Sequence, residues 1–317
     1  MLFKFFRQIF LLALLLLSLV IEESCAEITV YPQDFTARAL YLVPSYEFRI
    51  EPPGEKGLDY RTNTVGKPGV GLSYKGLGGN IRWTYRGDAA DRLKKGETAS
   101  TDYTFGIYWS SFAIDLFYQR YKGFYLDGTA DENGYFVTVP DAKAIHYGVV
   151  GYYIFSPETY TMASAFDQTL KQTESGGSWV ASVFAQTFTI DTGSKITGDP
   201  TRVNSTLLYL KAKSDNLGAS AGYGYRWNFA QEWYLSFQLL VGIGYQMRHF
   251  EESGQNSRTS GGVGVKSTAH LGIGWNIEQH SIALRALADA LRVPDIRGTI
   301  SSSAVQGELF YAYRFSI

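Results

Sequence analysis

The stretch WYLSFQLLVGIGYQMR, beginning at Trp233, alternates with a period of two. Odd positions carry Trp233, Leu235, Phe237, Leu239, Val241, Ile243, Tyr245 and Met247. Even positions carry Tyr234, Ser236, Gln238, Leu240, Gly242, Gly244, Gln246 and Arg248. Successive side chains of a strand point to opposite faces, so the pattern predicts a strand with one greasy face and one mostly wet face. Its length is well beyond the roughly five or six residues usual in soluble domains.

The same alternation recurs along the chain and predicts twelve strands, near 37–50, 68–75, 79–86, 101–110, 112–122, 142–154, 177–190, 216–227, 232–249, 261–276, 280–290 and 304–317. The segment SIALRALADAL within 280–290 suits a helix by propensity; an even strand count argues for a strand instead. Long polar connectors near 51–67, 87–100, 123–141, 191–215, 250–260 and 291–303 alternate with short ones near 76–78, 111, 228–231 and 277–279. Short periplasmic turns and longer outside loops mark outer-membrane barrels. Residues 156–176 fall where a short turn belongs. Reading them as a strand would put the later long connectors on the wrong side. They are therefore expected to form a periplasmic or lumen-entering segment, with a short helix around Ala163 to Gln172.

The expected fold class is all-β, an antiparallel transmembrane barrel of about twelve strands. A backbone crossing lipid must satisfy its hydrogen bonds internally, so sheets cross only as closed barrels. Trp83, Tyr85, Tyr103, Trp109, Tyr245 and Trp275 fall near strand ends on the apolar faces, as interfacial girdles require. Charges are confined largely to the other faces, where they avoid the roughly 2–4 kcal/mol cost of an Arg at the lipid midplane. A secreted sandwich or lipocalin-like barrel is the soluble alternative, and strand length with connector asymmetry weighs against it.

Composition sharpens this picture. The 317 residues carry a formal net charge of -1, so no overall field favours nucleic acid or an anionic surface. The N-terminus joins Lys4 and Arg7 to an apolar run from Ile9 to Ile21 and then to Ser24-Cys25-Ala26. This is the pattern of a secretory signal, expected to occupy residues 1–26 and to be cut after Ala26. The barrel domain would then be 27–317. Cleavage removes Cys25, the sole cysteine, and with it disulfides and thiolate sites. The expected location is the outer membrane of a Gram-negative bacterium.

Three stretches, GVGLSYKGLGG (69–79), AIDLFYQRYKGFYL (113–126) and GASAGYGYRW (218–227), resemble an uncharacterised bacterial family, domain of unknown function 4421. The resemblance implies an exported outer-membrane barrel and carries no catalytic residues with it.

The register predicts a lumen-facing polar set: Glu47, Arg49, Arg82, Arg86, Asp115, Gln119, Arg226, Arg248, Lys266, His270, Arg285, Asp289, Glu308 and Arg314. Lys75, Asp102, His146, Gln238 and Gln306 share that assignment. Mixed charges in a narrow interior should pair, since an unpaired desolvated charge is costly. The expected role is non-enzymatic: structural, surface-interacting, or a narrow pore for small solutes. The alternative is a membrane-lipid acyl hydrolase. That chemistry needs a Ser activated by a His, and none of His146, His249, His270 and His280 has a nucleophile at a persuasive offset. His280-Ser281 should point apart as strand neighbours, and His249 lies beside a loop holding Ser253 and Ser257. No cofactor or metal is expected: the histidines are not clustered, DGTADENG (127–134) lacks the ordered oxygens of a calcium loop, and GVGVKSTAHLG is not a phosphate loop. The expected partners are outer-membrane lipid and the barrel-insertion machinery, the latter through Tyr311, Tyr313, Phe315 and Ile317 on the last strand.

Overall fold

The computed structural model describes residues 28–51, 57–64, 66–84, 88–193, 210–230, 232–252, 257–295 and 298–317. The chain begins with β1 (Ile28–Val30), β2 (Phe35–Glu51), β3 (Leu58–Arg61), β4 (Lys67–Tyr74) and β5 (Leu77–Arg82). Helix α1 (Ala89–Lys95) precedes β6 (Ala99–Tyr108), β7 (Phe112–Leu126) and β8 (Thr138–Ile154). A π-helical turn at Ala163–Asp167 leads to β9 (Leu170–Gln172). The remainder comprises β10 (Gly176–Asp191), β11 (Leu210–Phe229), β12 (Trp233–Glu252), β13 (Arg258–Asn276), β14 (His280–Asp295) and β15 (Gly298–Phe315).

Thirteen of these strands form one barrel-like antiparallel sheet, in which β15 pairs back onto β2 from Thr299↔Glu51 to Phe315↔Phe35. Each of the twelve long alternating segments is a wall strand. The 280–290 segment is among them, because its backbone bonds to β13 and β15 outweigh helix propensity. The β4–β5 hairpin turns at Lys75 and Gly76, both with positive φ (48° and 85°). A side chain on Gly76 would also collide with the Tyr108 carbonyl. Its turn type matches the right-handed twist of the strands it joins.

The pairings extend further than alternation predicts. β12 and β13 run to Glu252 and Arg258, and β14 and β15 pair out to Asp295↔Gly298. The expected long connectors at 250–260 and 291–303 are therefore corrected to short ones. Beyond the outward apolar band both faces of a ribbon are polar, so hydrogen bonding continues after the apolar alternation has stopped.

β3 continues the line of β4 along β2, with Thr62 N donating to Tyr46 O at 3.2 Å. Its free edge meets β7 at Tyr60↔Leu126 and Arg61↔Tyr125. β5 and β6 stop short of this level, so the wall passes directly from β3 to β7 at the long-connector end. That narrowing has an apolar filling. Tyr46 and Phe48, 1% and 0% exposed, pack with Tyr60, Tyr121, Phe124, Val139, Phe188, Leu291 and Ile300. Tyr46 stacks on Tyr121 at 4.7 Å between ring centroids, and Phe48 on Tyr60 at 4.5 Å. Burying such side chains contributes roughly 1.5–3 kcal/mol each. The outer surface is the reverse: Val43, Val70, Ile81, Val183, Leu217, Ile243 (64% exposed), Val263 and Leu309 all face outward.

Of residues 156–176, expected to stay out of the wall, all but Gly176 do so; Gly176 opens β10 and pairs with Arg226. The expected helix at Ala163 to Gln172 is corrected to the shorter π-helical turn, because β9 then pairs with β1 at Ile28↔Gln172 and Val30↔Leu170. Among the described residues no helix is long and apolar enough to cross a membrane, which says nothing about strands.

Candidate functional site: the interior and its inserted turn

The segment after β8 is buried along Tyr160–Gln168. Its turn is held by its own hydroxyls and amides. Thr161 Oγ1 donates to Ser164 Oγ at 3.1 Å, Ser164 Oγ donates to Gln172 Oε1 at 2.9 Å, and Gln168 Nε2 donates to Ser164 O at 2.6 Å. Tyr160 fits because β11 carries a glycine beneath it: a Cβ on Gly224 would stand 2.5 Å from the Tyr160 ring.

Four guanidiniums from four wall strands then close on the backbone of this turn. Arg226 on β11 donates to Ser164 O. Arg285 on β14 donates to Phe166 O at 3.0 Å, Arg38 on β2 to Asp167 O at 2.7 Å, and Arg314 on β15 to Gln168 O at 2.9 Å. Arg38 Nη2 also lies 3.0 Å from Asp167 Oδ2. Hydrogen bonds to charged groups contribute about 1.5–3 kcal/mol each, so the clamp holds the turn in place of water. Arg314 reaches further, to Asn276 Oδ1 at 3.0 Å and Ser281 Oγ at 2.5 Å, and lies 3.8 Å from the centroid of the Tyr31 ring. Arg226 covers the Tyr234 ring at 4.0 Å. Burial pushes the Tyr31 and Tyr160 hydroxyls up from their ordinary value, which keeps both neutral; Tyr160 donates to Gln238 Oε1 at 3.1 Å.

Above the turn, charges pair across the interior. Glu308 on β15 bridges two arginines, accepting from Arg82 Nη2 at 2.7 Å and from Arg285 Nε at 2.8 Å. Arg82 also donates to Thr104 Oγ1 at 2.9 Å. Lys266 meets Asp289 Oδ2 at 2.8 Å and Gln186 Oε1 at 2.9 Å, while Thr268 donates to Asp289 Oδ1 at 3.0 Å. Tyr108 donates to Asp115. His146 packs edge-on to Phe117 at 4.8 Å, and His270 lies 5.1 Å from Phe166. These groups surround a cavity of about 180 Å³, between the inserted turn and the apolar filling.

Of the sequence-predicted set, Arg82, Asp115, Gln119, Arg226, Arg248, Lys266, His270, Arg285, Asp289, Glu308 and Arg314 share the inward parity, with Asp102, His146, Gln238 and Gln306. Arg248 is buried, with no ion pair among the described residues. Arg86 lies outside the described residues. Two assignments are corrected. Glu47 and Arg49 share the face of exposed Tyr41 and Val43, and pair on the surface: Arg49 with Glu51 at 2.6 Å and Asp59 at 2.7 Å, Glu47 with Arg61 at 3.1 Å. At this level polarity no longer reports the side, because the outer face is itself wet. Lys75 is likewise corrected to the exposed β4–β5 turn, 3.6 Å from Asp34. Reading the sequence missed Arg38 and Lys67, the acid Asp167, and the apolar filling. For Arg38 a signal existed: Thr36, Arg38, Leu40 and Leu42 share one parity, but its leucines disguise it as the greasy face.

The remaining histidines lie outside this interior. His249 Nδ1 is 2.9 Å from Thr259 Oγ1, and His280 Nδ1 is 2.7 Å from the Tyr311 hydroxyl, while Ser281 turns inward to Arg314. Among the described residues no cluster of three His, Cys, Asp or Glu is placed to hold a metal ion.

A barrel-like antiparallel sheet, apolar outside and polar within, defines the class: a β-rich protein of outer-membrane type. The chain belongs to the family described as "Domain of unknown function (DUF4421)", whose profile matches residues 28–315. No curated protein matches the sequence. Among solved structures, the outer membrane protease OmpT of Escherichia coli aligns at 8% identity, covering 90% of this chain and 98% of that one, with a TM-score of 0.41. The toluene transporter TodX of P. putida aligns at 9% identity over 90% and 91%, TM-score 0.33. Ail, the attachment invasion locus protein of Yersinia pestis, aligns at 7% identity over 87% and 98%, TM-score 0.24. At such values nothing about activity passes from these proteins to this chain.

Proposed function

We propose that this protein is a twelve-stranded transmembrane barrel of the Gram-negative outer membrane, exported by a cleaved signal at residues 1–26, with a sealed interior and a structural, surface-interacting role. The observation that carries this reading is the four-arginine clamp on residues 164–168. It stops one end of the lumen while the Tyr46–Phe48 cluster fills the other. The narrow pore expected as one option is unsupported where the interior cations pair with Asp102, Asp167, Asp289 and Glu308. Counting β3 and β4 along one line leaves twelve strands in the ring, an even number that returns both ends of the wall to the short-turn side. Outward Tyr311 and Tyr313, followed by Phe315 and Ile317, supply the aromatic C-terminal signal read by the insertion machinery.

The role has no catalytic step. A lipid hydrolase reading would rest on His249, whose recorded side-chain partner is Thr259. Planar-bilayer recording on the purified protein tests the proposal. The native protein should give no steady current, and deletion of residues 157–174 should open one. A steady channel in the native protein would refute the sealed interior.

A further inference from the structure

One charge arrangement on the outward face is unfavourable as it stands. Lys122 on β7 and Lys143 on β8 are direct cross-strand partners. Both share the parity of exposed Tyr118 and Tyr147, and Arg120 stands between Tyr118 and Lys122 on the same face. Like charges directly opposite each other destabilise an antiparallel pair. None of the three cations has an acidic partner among the described residues. Asp191, the cross-strand partner of Lys143 on β10, accepts from Gly193 N at 3.0 Å and makes no ion pair with Lys143.

The depth of the cluster identifies what neutralises it. Tyr118 and Tyr147 are cross-strand partners with ring centroids 6.5 Å apart, and Tyr103 extends the row at 6.4 Å from Tyr118. Outward tyrosine rows mark the boundary between acyl chains and headgroups. Lys122 lies four residues beyond Tyr118 on the long-connector side. At about 3.4 Å per residue and a strand tilt of about 40°, that is about 10 Å further out. Headgroups extend roughly 5–7 Å beyond the acyl chains, and lysine and arginine stems bend back towards them over the remainder.

We propose that Arg120, Lys122 and Lys143 form a binding site for a phosphate-bearing lipid headgroup of the leaflet on the long-connector side. A phosphate between Lys122 and Lys143 turns a cross-strand repulsion into two attractions, and Arg120 supplies the bidentate fork that phosphate oxygens prefer. Lipid is chosen over a soluble anion because the tyrosine row fixes the site at the membrane boundary. This inference rests on the transmembrane reading above.

The test is native mass spectrometry of the protein in nonionic detergent, offered an equimolar mixture of phosphatidylcholine and phosphatidic acid. The native protein should retain phosphatidic acid selectively. The triple variant R120Q/K122Q/K143Q should lose that selectivity by about a hundredfold, from three basic residues at an anionic surface. A K75Q/K171Q variant, altered at the other end, should keep it. In lipid-free detergent K122Q should resist urea better than the native protein, because the repulsion is gone; a less resistant K122Q contradicts the proposal. Equal retention of the two lipids, or selectivity unchanged in the triple variant, overturns this site alone. Displacement by inorganic phosphate at matched concentration overturns the lipid assignment. Retention of no lipid by a protein that stays dispersed without detergent overturns the transmembrane reading as well.

Discussion

Arg38 on β2 grips Asp167 twice, through the carboxylate at 3.0 Å and through the backbone carbonyl at 2.7 Å, although 129 residues separate the two. The contact ties the first wall strand to the turn inserted after β8. It is buried on both sides, so its loss leaves a charge with neither water nor partner.

Arg38→Ala should therefore destabilise the protein by about 3–5 kcal/mol, as removal of one member of a buried pair does. Urea unfolding in detergent, followed by near-ultraviolet circular dichroism, measures this. A loss within about 0.5 kcal/mol, the range of an ordinary surface change, would show that the pair carries no weight.

Glu308 joins two arginines, so its effects should not add. Arg82→Met and Arg285→Met each leave Glu308 one partner, while the double variant strands it. The double variant should lose more stability than the two singles together, by about 0.5–3 kcal/mol. Additive losses would mean the two contacts are independent.

Gly224→Val should expel Tyr160, since even a Cβ there meets the ring at 2.5 Å. The reporter is an introduced cysteine at Ala165, a fully buried position in a chain that holds no cysteine once residues 1–26 are removed. A membrane-impermeant maleimide should leave A165C unmodified in the native background and modify it in the Gly224→Val background. Equal reactivity in both would show that the glycine notch does not seat the turn.

Replacing Tyr313 and Phe315 by alanine should slow assembly without altering the interior, because Tyr313 points outward and Phe315 stacks on it at 6.1 Å. Heat-modifiable electrophoretic mobility after pulse labelling reads the folded fraction. An unchanged rate would remove these side chains from the insertion signal.

The wall was legible in the sequence because an apolar outer face and a polar inner one impose opposite polarity on successive residues, and twelve segments such as Trp233–Met247 show it. Where both faces meet water the rule fails, so Glu47 and Arg49 mimic inward residues and the outer ends of β14 and β15 carry no alternation. The inserted turn was legible only by elimination, as the segment that strand parity could not accommodate. Its clamp was not legible. The four arginines are dispersed along the chain: Arg226, Arg285 and Arg314 look like ordinary inward arginines, and Arg38 is hidden among leucines, until the ring brings them together. Nor can alternation reveal that Tyr46, Phe48 and Tyr60 fill the lumen: beside the polar Glu47 and Arg49, Tyr46 and Phe48 read as the greasy outer set, and Tyr60 falls in an expected connector.

Paired spin labels give the most direct measurement of a wall with acyl chains on one side and a stopped interior on the other. A label at Ile243, on the outer face, should be relaxed by dissolved oxygen and shielded from a water-soluble nickel complex. A label at Ser182, buried on the inner face of β10, should be shielded from the nickel complex too. Nickel access at Ile243 would contradict the lipid-facing wall, and nickel access at Ser182 would contradict the stopped interior.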